Sequence, residues 1–179
     1  MKLARLCLLI LGVQLVGCGI TAPRFNDGYA DLDSLGFSDT DRTMSLSLGP
    51  TVMRFAAAHI EDDPETREMV SQLDGVRVRT YDIVGDRERV ADRIDRMNHK
   101  LKGQGWTPVI RVREAGETTV MLVKERDDHI AGITVITCDS HEAVIVNVMG
   151  ELRPEMFAAT MEALDVDVGT GELAQASVD

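Results

Sequence analysis

The sequence predicts an α+β domain in two layers, with a mostly antiparallel sheet and helices packed on one of its faces. One observation behind this is a series of four strand-like runs in the C-terminal half, at 106–113, 118–126, 130–138 and 143–149. Short polar links separate these runs, which is typical of the hairpins of a four-strand meander. The other is a long amphipathic helix predicted over 86–102, which offers a cover for one face of the sheet.

The first half of the domain adds two strands and two short helices. Residues 44–48 alternate between apolar and polar side chains, which predicts a strand, and Pro50 suits the first turn of a helix after it. The acids at 62–65 favour a second helix start, because carboxylates are stabilised at the positive end of the helix dipole. Gly75 is the predicted stop of that helix, and the alternation at 76–84 predicts another strand.

Two further helices have apolar residues at helical spacing. Over 86–102, Val90, Ile94, Met97 and Leu101 form one narrow stripe, and glycines directly after it predict its end. A last helix is predicted from Pro154, after the meander. Its side chains available for packing are Met156, Phe157, Ala159, Thr160, Met161 and Leu164.

A short apolar run near the amino terminus predicts export. Two basic residues precede the run over 6–16, and Leu15-Val16-Gly17-Cys18 ends it. The run is shorter than the roughly 20 residues that span a bilayer. Its end resembles the lipobox of bacterial lipoproteins, which implies cleavage between Gly17 and Cys18, a diacylglyceryl group on the Cys18 sulfur and an amino-terminal acyl chain such as palmitate. A transmembrane anchor and ordinary secretion are the alternatives.

The residue after the cysteine bears on location. An Asp at this position in Gram-negative lipoproteins resembles a signal for retention at the inner membrane, and this chain has Gly19 there. We therefore expect Cys18 to be anchored in the inner leaflet of the outer membrane, with the folded part in the periplasm.

The predicted organisation is a signal peptide over 1–17, a flexible tether over 18–42, one domain over 43–168 and a flexible tail over 169–179. About two dozen flexible residues span roughly 25–30 Å, which would lift the domain clear of the lipid headgroups. Docking of the tether on the domain is the alternative, because the tether contains several large apolar residues. These are Phe25, Tyr29, Leu32, Leu35 and Phe37.

The charge balance excludes some classes of partner. The chain has 19 Lys and Arg against 30 Asp and Glu, and loss of Lys2 and Arg5 with the signal leaves a formal charge of −13. Nucleic acid is not an expected partner, because its affinity comes from neutralised phosphates. An acidic surface is also repelled by anionic headgroups, so acyl chains on Cys18 are expected to provide the membrane attachment.

Cysteine usage leaves one thiol in the mature chain. Cys7 leaves with the signal and Cys18 is expected to be lipidated, so Cys138 has no partner for an internal disulfide. Its apolar neighbours predict a buried strand thiol. A catalytic or intermolecular thiol is the alternative.

Residues that carry chemistry are present but badly spaced for a site. Two groups of residues contain a histidine and acids, one around His129 and one around His141. They lie at opposite ends of one predicted strand, so about 25–30 Å separates them. One metal ion cannot take ligands from both ends. No Gly-x-Ser-x-Gly or Walker loop occurs, and Gly103-Gln104-Gly105 follows a helix, the reverse of a dinucleotide loop. We therefore expect no enzyme activity, no cofactor and no metal.

An arginine stripe is the candidate partner-binding feature. If the alternation holds, Arg77, Arg79, Arg111 and Arg113 lie on the same side of the sheet. Should their two strands be neighbours, the four guanidinium groups form one patch suited to carboxylate or phosphate. Internal pairing with acids of the meander, such as Glu125, is the alternative.

A diffuse pattern runs through the domain. Its stretches are 73–78, Trp106, 119–123, 130–133 and 146–152. This pattern resembles a family of bacterial envelope lipoproteins that share the domain of unknown function DUF4252. The resemblance implies a lipoprotein signal before one small domain, with no assigned activity or catalytic residues. It also implies a link to envelope signalling, because some members are encoded beside extracytoplasmic-function sigma factors and their membrane regulators.

Two functions are expected from these features. The first is a non-enzymatic outer-membrane lipoprotein whose periplasm-facing domain binds an envelope protein, in envelope stress signalling. The alternative is a lipid- or small-ligand-binding module that uses the helix–sheet interface or the arginine stripe.

The lipobox generates a direct test. A Cys18→Ser chain should lack the diacylglyceryl group and move from the membrane fraction to the soluble fraction, because the apolar run is too short to anchor it. Fractionation with mass spectrometry measures both properties. Retention of the Cys18→Ser chain in the membrane would contradict the lipid anchor.

Overall fold

The computed structural model describes residues 19–31, 41–83, 87–114 and 116–154, with side chains given in these ranges except for 87–91. Six strands and three helices lie within them. The strands are β1 (Arg42–Leu48), β2 (Leu73–Asp82), β3 (Thr107–Glu114), β4 (Glu117–Arg126), β5 (His129–Cys138) and β6 (Glu142–Leu152). The helices are α1 (Pro50–Ala58), α2 (Pro64–Ser71) and α3 (Arg87–Gly103).

All six strands form one antiparallel sheet in the order β1-β2-β6-β5-β4-β3. The four C-terminal strands pair with their neighbours in sequence, which confirms the predicted meander. β2 pairs with the free side of β6, and β1 pairs with β2 at the edge. The α+β class with an antiparallel sheet is therefore confirmed.

The boundary between α2 and β2 differs from the prediction. Gly75 was expected to stop the helix, but α2 ends at Ser71 and Gly75 lies inside β2. The first residues of β2 pair with the end of β6, where Leu73 lies opposite Gly150 across a β-bulge. Pairing with a long neighbouring strand thus extends β2 into residues that local propensity assigns to a helix end. The start is as predicted, because the Asp63 side chain caps α2 at the Thr66 amide.

One face of the sheet packs against α3 and forms the main core. Ile94, Met97 and Leu101 of the predicted stripe are all buried here. The residues opposite them are Tyr81, Val120, Leu122, Ile136, Cys138, Ala143 and Ile145, with Trp106 after the helix. By the strand registers these β residues share one face, which we call the α3 face.

A second, smaller core lies at the end of the sheet where β2 begins and β6 ends. Val123, Ile130 and Leu152 are buried in it, and Met69 of α2 packs against this cluster. Ile133 and Val148 also join it, and alternation puts both of them opposite the α3 face. The α1–α2 pair therefore closes one end of the sheet.

Several predicted segments lie outside the described residues. They include Cys18, the signal peptide over 1–17, residues 32–40 of the tether, the helix predicted beyond Pro154 and the tail over 169–179. None of the three described helices has the length and apolar character needed to cross a bilayer.

Candidate interaction surfaces

The segment over residues 19–31 packs on the α3 face as a chain with turns at 24–25 and 27–28, and Asn147 of β6 holds it there. The Asn147 side chain is fully buried. Its Oδ1 accepts from the Ala30 amide at 3.1 Å and its Nδ2 donates to the Gly28 carbonyl at 3.0 Å. The side-chain amide thus pairs with the backbone as a neighbouring strand would, and satisfies polar groups that have left water.

Two members of the arginine stripe lie beneath this segment. Arg77 donates from Nη1 to the Ala30 carbonyl at 2.9 Å, and its guanidinium lies 4.4 Å from the centroid of the Tyr29 ring. Such a cation–π contact is strongest when the cation is desolvated, and Arg77 is only 5% exposed. Arg79 is also buried. These two side chains belong to the interior of the domain.

Close backbone approach fixes the segment on β5. A Cβ added at Gly28 would lie 1.8 Å from the Ala131 carbonyl oxygen, and one at Gly132 would meet both Gly28 and Trp106. No side chain fits between the two backbones, so glycine is required at both positions.

Two polar pairs tie the middle of the segment to β4 and β2. The Asp27 carboxylate accepts two bonds from Arg126 of β4, at 2.7 and 3.1 Å, and this pairing lowers the pKa of Asp27. Asn26 donates to Asp74 at 2.7 Å, at the start of β2. The flexible tether expected over 18–42 is therefore, over residues 19–31, part of the folded domain.

The apolar residues named for docking contribute unequally. Tyr29 contacts Arg77, whereas Phe25 is fully exposed. Leu32, Leu35 and Phe37 lie outside the described residues. Polar groups and glycines hold the segment more than its large apolar side chains do.

The arginine stripe lies on one face, as the alternation predicts, but it does not form one patch. β2 and β3 are separated by β6, β5 and β4, so Arg77 and Arg111 lie on strands about 19 Å apart. Arg111 is exposed and forms an ion pair with Asp95 of α3. Its described partner is therefore a helix carboxylate rather than Glu125, and the four guanidinium groups do not act together.

The polar turns have structural explanations. Asp139 Oδ1 accepts from the amides of His141 and Glu142 at 2.6 and 2.8 Å, and these bonds lower the pKa of Asp139. His129 begins β5 and His141 follows its end, as predicted. Among the described residues, no group of three His, Cys, Asp or Glu side chains is arranged to hold a metal ion.

Opposite the α3 face, two rows of side chains run across all six strands. We call them together the outer apolar face. The row nearer to α2 consists of Leu46, Val78, Val146, Val135, Met121 and Ile110, and none of these belongs to either core cluster. The next row consists of Met44, Thr80, Val144, Thr137, Thr119 and Val112.

The outer apolar face is partly open. Met44, Leu46 and Val112 are 47%, 42% and 42% exposed, and the other residues except the buried Thr80 are half-buried. No charged side chain occurs in either row. The row nearer to α2 is thus apolar across the whole width of the sheet, and the next row combines apolar residues with threonines.

Carboxylates border this face at the end farthest from α2. Asp82 pairs with Glu142 and Glu114 with Glu117, and all four side chains are exposed. We call them the acidic rim. A cleft of about 400 Å³ opens there, with Val112, Thr119 and both glutamates of the β3–β4 hairpin in its wall.

A smaller cleft lies at the helix–sheet interface, the predicted alternative ligand site. It has a volume of about 320 Å³ and lies between α3 and β3, beside Asn98, Lys102 and Arg111. Asn98 Oδ1 is buried there and has no hydrogen-bond partner among the described residues.

Comparison with known families decides the identity of the domain. Residues 37–160, more than half of the chain, match the family described as Domain of unknown function (DUF4252). The chain belongs to this family. A search of curated proteins finds no sequence similar to it. The match spans all six strands of the DUF4252 domain and begins after the packed segment over 19–31.

Asn147 is the residue of the DUF4252 domain that pattern analysis missed. It lies in the run Val144-Ile145-Val146-Asn147-Val148, on the same face of β6 as the buried Ile145. A polar side chain at a core position of a strand must find partners, and this rule would have singled it out. Thr134, on the neighbouring strand, is equally buried and accepts from Asn147 at 3.2 Å.

Replacement of Asn147 tests the packed segment. An Asn147→Ala chain leaves the Ala30 amide and the Gly28 carbonyl without partners, which should cost about 2–4 kcal/mol of unfolding free energy. Trypsin cleavage after the exposed Arg24 should also accelerate. Denaturant unfolding and a timed digest measure these effects, with Asn98→Ala as the matched control, expected to cost under about 1 kcal/mol. Equal stability of the two variants would contradict the role of Asn147.

Cys138 provides a second test in the DUF4252 domain. Burial, and then the charge of Asp139, raise the pKa of this thiol from 9.0 to about 11. The thiol is therefore protonated at neutral pH, and its thiolate fraction is about a hundredfold below that of an unperturbed thiol. In a Cys7→Ser and Cys18→Ser chain, whose remaining thiol is Cys138, alkylation should rise tenfold per pH unit up to about pH 11. The chain unfolded in urea is the control, and a plateau below pH 9 would contradict the raised pKa.

Proposed function

We propose that this protein is a non-enzymatic lipoprotein of a Gram-negative outer membrane, anchored in the inner leaflet through acyl chains on Cys18. Its periplasmic DUF4252 domain binds an envelope protein across the outer apolar face, in envelope stress signalling. The lipobox at residues 15–18 supports the anchor. The observation that carries the binding function is the outer apolar face itself.

The size of this face suits protein recognition. Six strands at about 4.8 Å spacing and two rows of side chains make an area on the order of 300 Å². The largest contiguous apolar patch on a typical monomer is of about this size and is often functional. An antiparallel sheet with one solvated face would instead alternate between apolar and polar side chains.

The acidic rim indicates the chemistry of the partner. Its four carboxylates lie beside the apolar rows, and two of them wall the cleft at the β3–β4 hairpin. A partner segment with an apolar ridge followed by Lys or Arg matches both features. Complementary charge of this kind accelerates encounter and fixes orientation.

The non-enzymatic part of the proposal is supported by the structural roles of the reactive groups. Cys138 is a buried thiol with a raised pKa, Asp139 caps a turn, and Arg77 holds the packed segment. Each of these side chains has a partner or an environment that explains it without a reaction.

Photo-crosslinking tests the binding face. A photo-crosslinking amino acid in place of Val146, in the full chain in its native envelope, should give an adduct with another protein. The attached peptide should be apolar and flanked by Lys or Arg. The double change Asp82→Lys and Glu142→Lys should reduce the adduct at least fivefold, since it reverses charge at the rim. Glu65→Lys, an exposed acid on α2, is the matched control and should leave the adduct unchanged.

The products of this experiment separate the possible occupants. A crosslinked dimer of the chain would show that a second copy covers the face. An internal product with residues 154–168 would show that the chain's own C-terminal segment covers it. Either product, no adduct, or an adduct insensitive to the rim changes would contradict the proposed partner.

A further inference from the structure

The residue that follows the proposed lipidation site is packed against the start of α1. A Cβ added at Gly19 would lie 2.2 Å from Thr51 Oγ1, and the Ile20 carbonyl accepts from the Gly49 amide at 2.6 Å. Consecutive Cα atoms are 3.8 Å apart. Gly19, the residue bonded to Cys18, therefore lies next to the first turn of α1, and no tether separates Gly19 from the domain.

Exposed apolar side chains surround this point. Ile20 is 52% exposed and Phe55, one turn along α1 from Thr51, is 66% exposed. Phe25 is fully exposed, and the chain on either side of it is fixed to the same end of the sheet. Ala22 donates to Ser47 near the end of β1, and Asn26 donates to Asp74 at the start of β2.

Two arginines accompany these apolar residues. Arg24 and Arg54 are exposed, and Arg54 donates to Thr51 Oγ1. Of the acids nearby, Asp74 accepts from Asn26 and Asp27 pairs with Arg126. Further exposed acids lie at this end, in the α1–α2 link, in α2, at the β4–β5 turn and near the end of β6. They are Glu61, Asp62, Asp63, Glu65, Glu68, Glu125, Asp127, Asp128 and Glu151, of which Glu68 pairs with Arg153.

We propose that Ile20, Arg24, Phe25, Arg54 and Phe55 form a membrane-facing patch that contacts the bilayer around the acyl chains. Apolar side chains such as Phe bury at the boundary between headgroups and acyl chains, and Arg lays its apolar stem along lipid while its charge meets phosphate. This proposal rests on the proposed lipidation of Cys18. A flexible tether would hold the domain roughly 25–30 Å from the lipid headgroups. In the proposed arrangement the domain instead contacts the bilayer surface directly with one end of its sheet.

The end-on position has a consequence for the proposed binding face. β2 runs away from the patch for ten residues, which is roughly 30 Å at 3.3 Å per residue. Asp82 and the rest of the acidic rim therefore lie at the end distant from the bilayer. There the four carboxylates of the rim are accessible from the periplasm.

Brominated lipids test the seating directly. The lipidated full chain with Phe55→Trp is placed in vesicles of phosphatidylethanolamine and phosphatidylglycerol with brominated acyl chains, which quench nearby tryptophan. His141→Trp, at the opposite end of the sheet, is the matched control, and the parent chain gives the baseline from the buried Trp106. Quenching of the added tryptophan should be at least threefold greater for Phe55→Trp than for His141→Trp.

A second pair of variants checks the patch without disturbing the fold. Phe25 makes no buried contact, so Phe25→Trp is free of packing effects and should be quenched like Phe55→Trp. Adding Arg24→Glu and Arg54→Glu to Phe55→Trp should halve its quenching or more, while flotation with vesicles stays intact.

The outcomes distinguish this inference from the proposed anchor. Equal quenching of the added tryptophans at both ends of the sheet, in a chain that floats and carries the acyl mass, overturns the membrane-facing patch and leaves the anchor standing. An unmodified Cys18 thiol in the native protein overturns the anchor, and the patch falls with it.

Discussion

The buried amide of Asn147 is the interaction on which the arrangement of this molecule depends. Removing an amide from water is costly unless its donors and acceptor find partners. Here the single acceptor, Oδ1, takes the Ala30 amide, and Nδ2 donates to the Gly28 carbonyl at 3.0 Å, with longer contacts to Thr134, Ile133 and Val148 within the sheet. The two shortest of these five contacts belong to the segment over 19–31. The α3 face of the sheet is therefore complete only when that segment is in place, and the two are expected to fold together.

This dependence gives the domain two distinct ends. The start of the segment contacts Gly49 and α1 at one end of the sheet. At the other end, β2 and β6 place Asp82 opposite Glu142. The proposed attachment, one residue before Gly19, would therefore have a defined place on the surface of the domain. A flexible linker would transmit no orientation, whereas a segment held by Asn147 and Arg126 would.

Much of the fold follows from local pattern, and the remainder depends on long-range pairing. Alternation and short polar links predict β3 to β6, and one apolar stripe predicts α3. Alternation also gives the parity of Arg77 and Arg111 correctly. It cannot give strand order, so the insertion of β2 beside β6 was not predictable and the stripe does not form one patch. Gly, Pro and Asp in residues 19–31 favour turns, so the sequence predicts a loop there. Composition does not show that the side chain of Asn147 pairs with the backbone of this loop, so its packing on the sheet was not predicted.

The side chains on the two faces of β6 differ in their surroundings, and this difference bears on the proposed binding function. Ile145 and Asn147 face α3 and the packed segment, and this accounts for their burial. Val144 and Val146 face the other way and join neither core cluster of the described residues. The row of Val144 also contains Thr80, Thr137 and Thr119, whereas the row of Val146 is apolar throughout. A sheet with a solvated face would carry polar side chains in that row too, as β-propensity and solubility both permit. The apolar character of Val146, repeated at Val78, Val135 and Met121, is a cost to the free domain, and contact with the proposed partner would offset it.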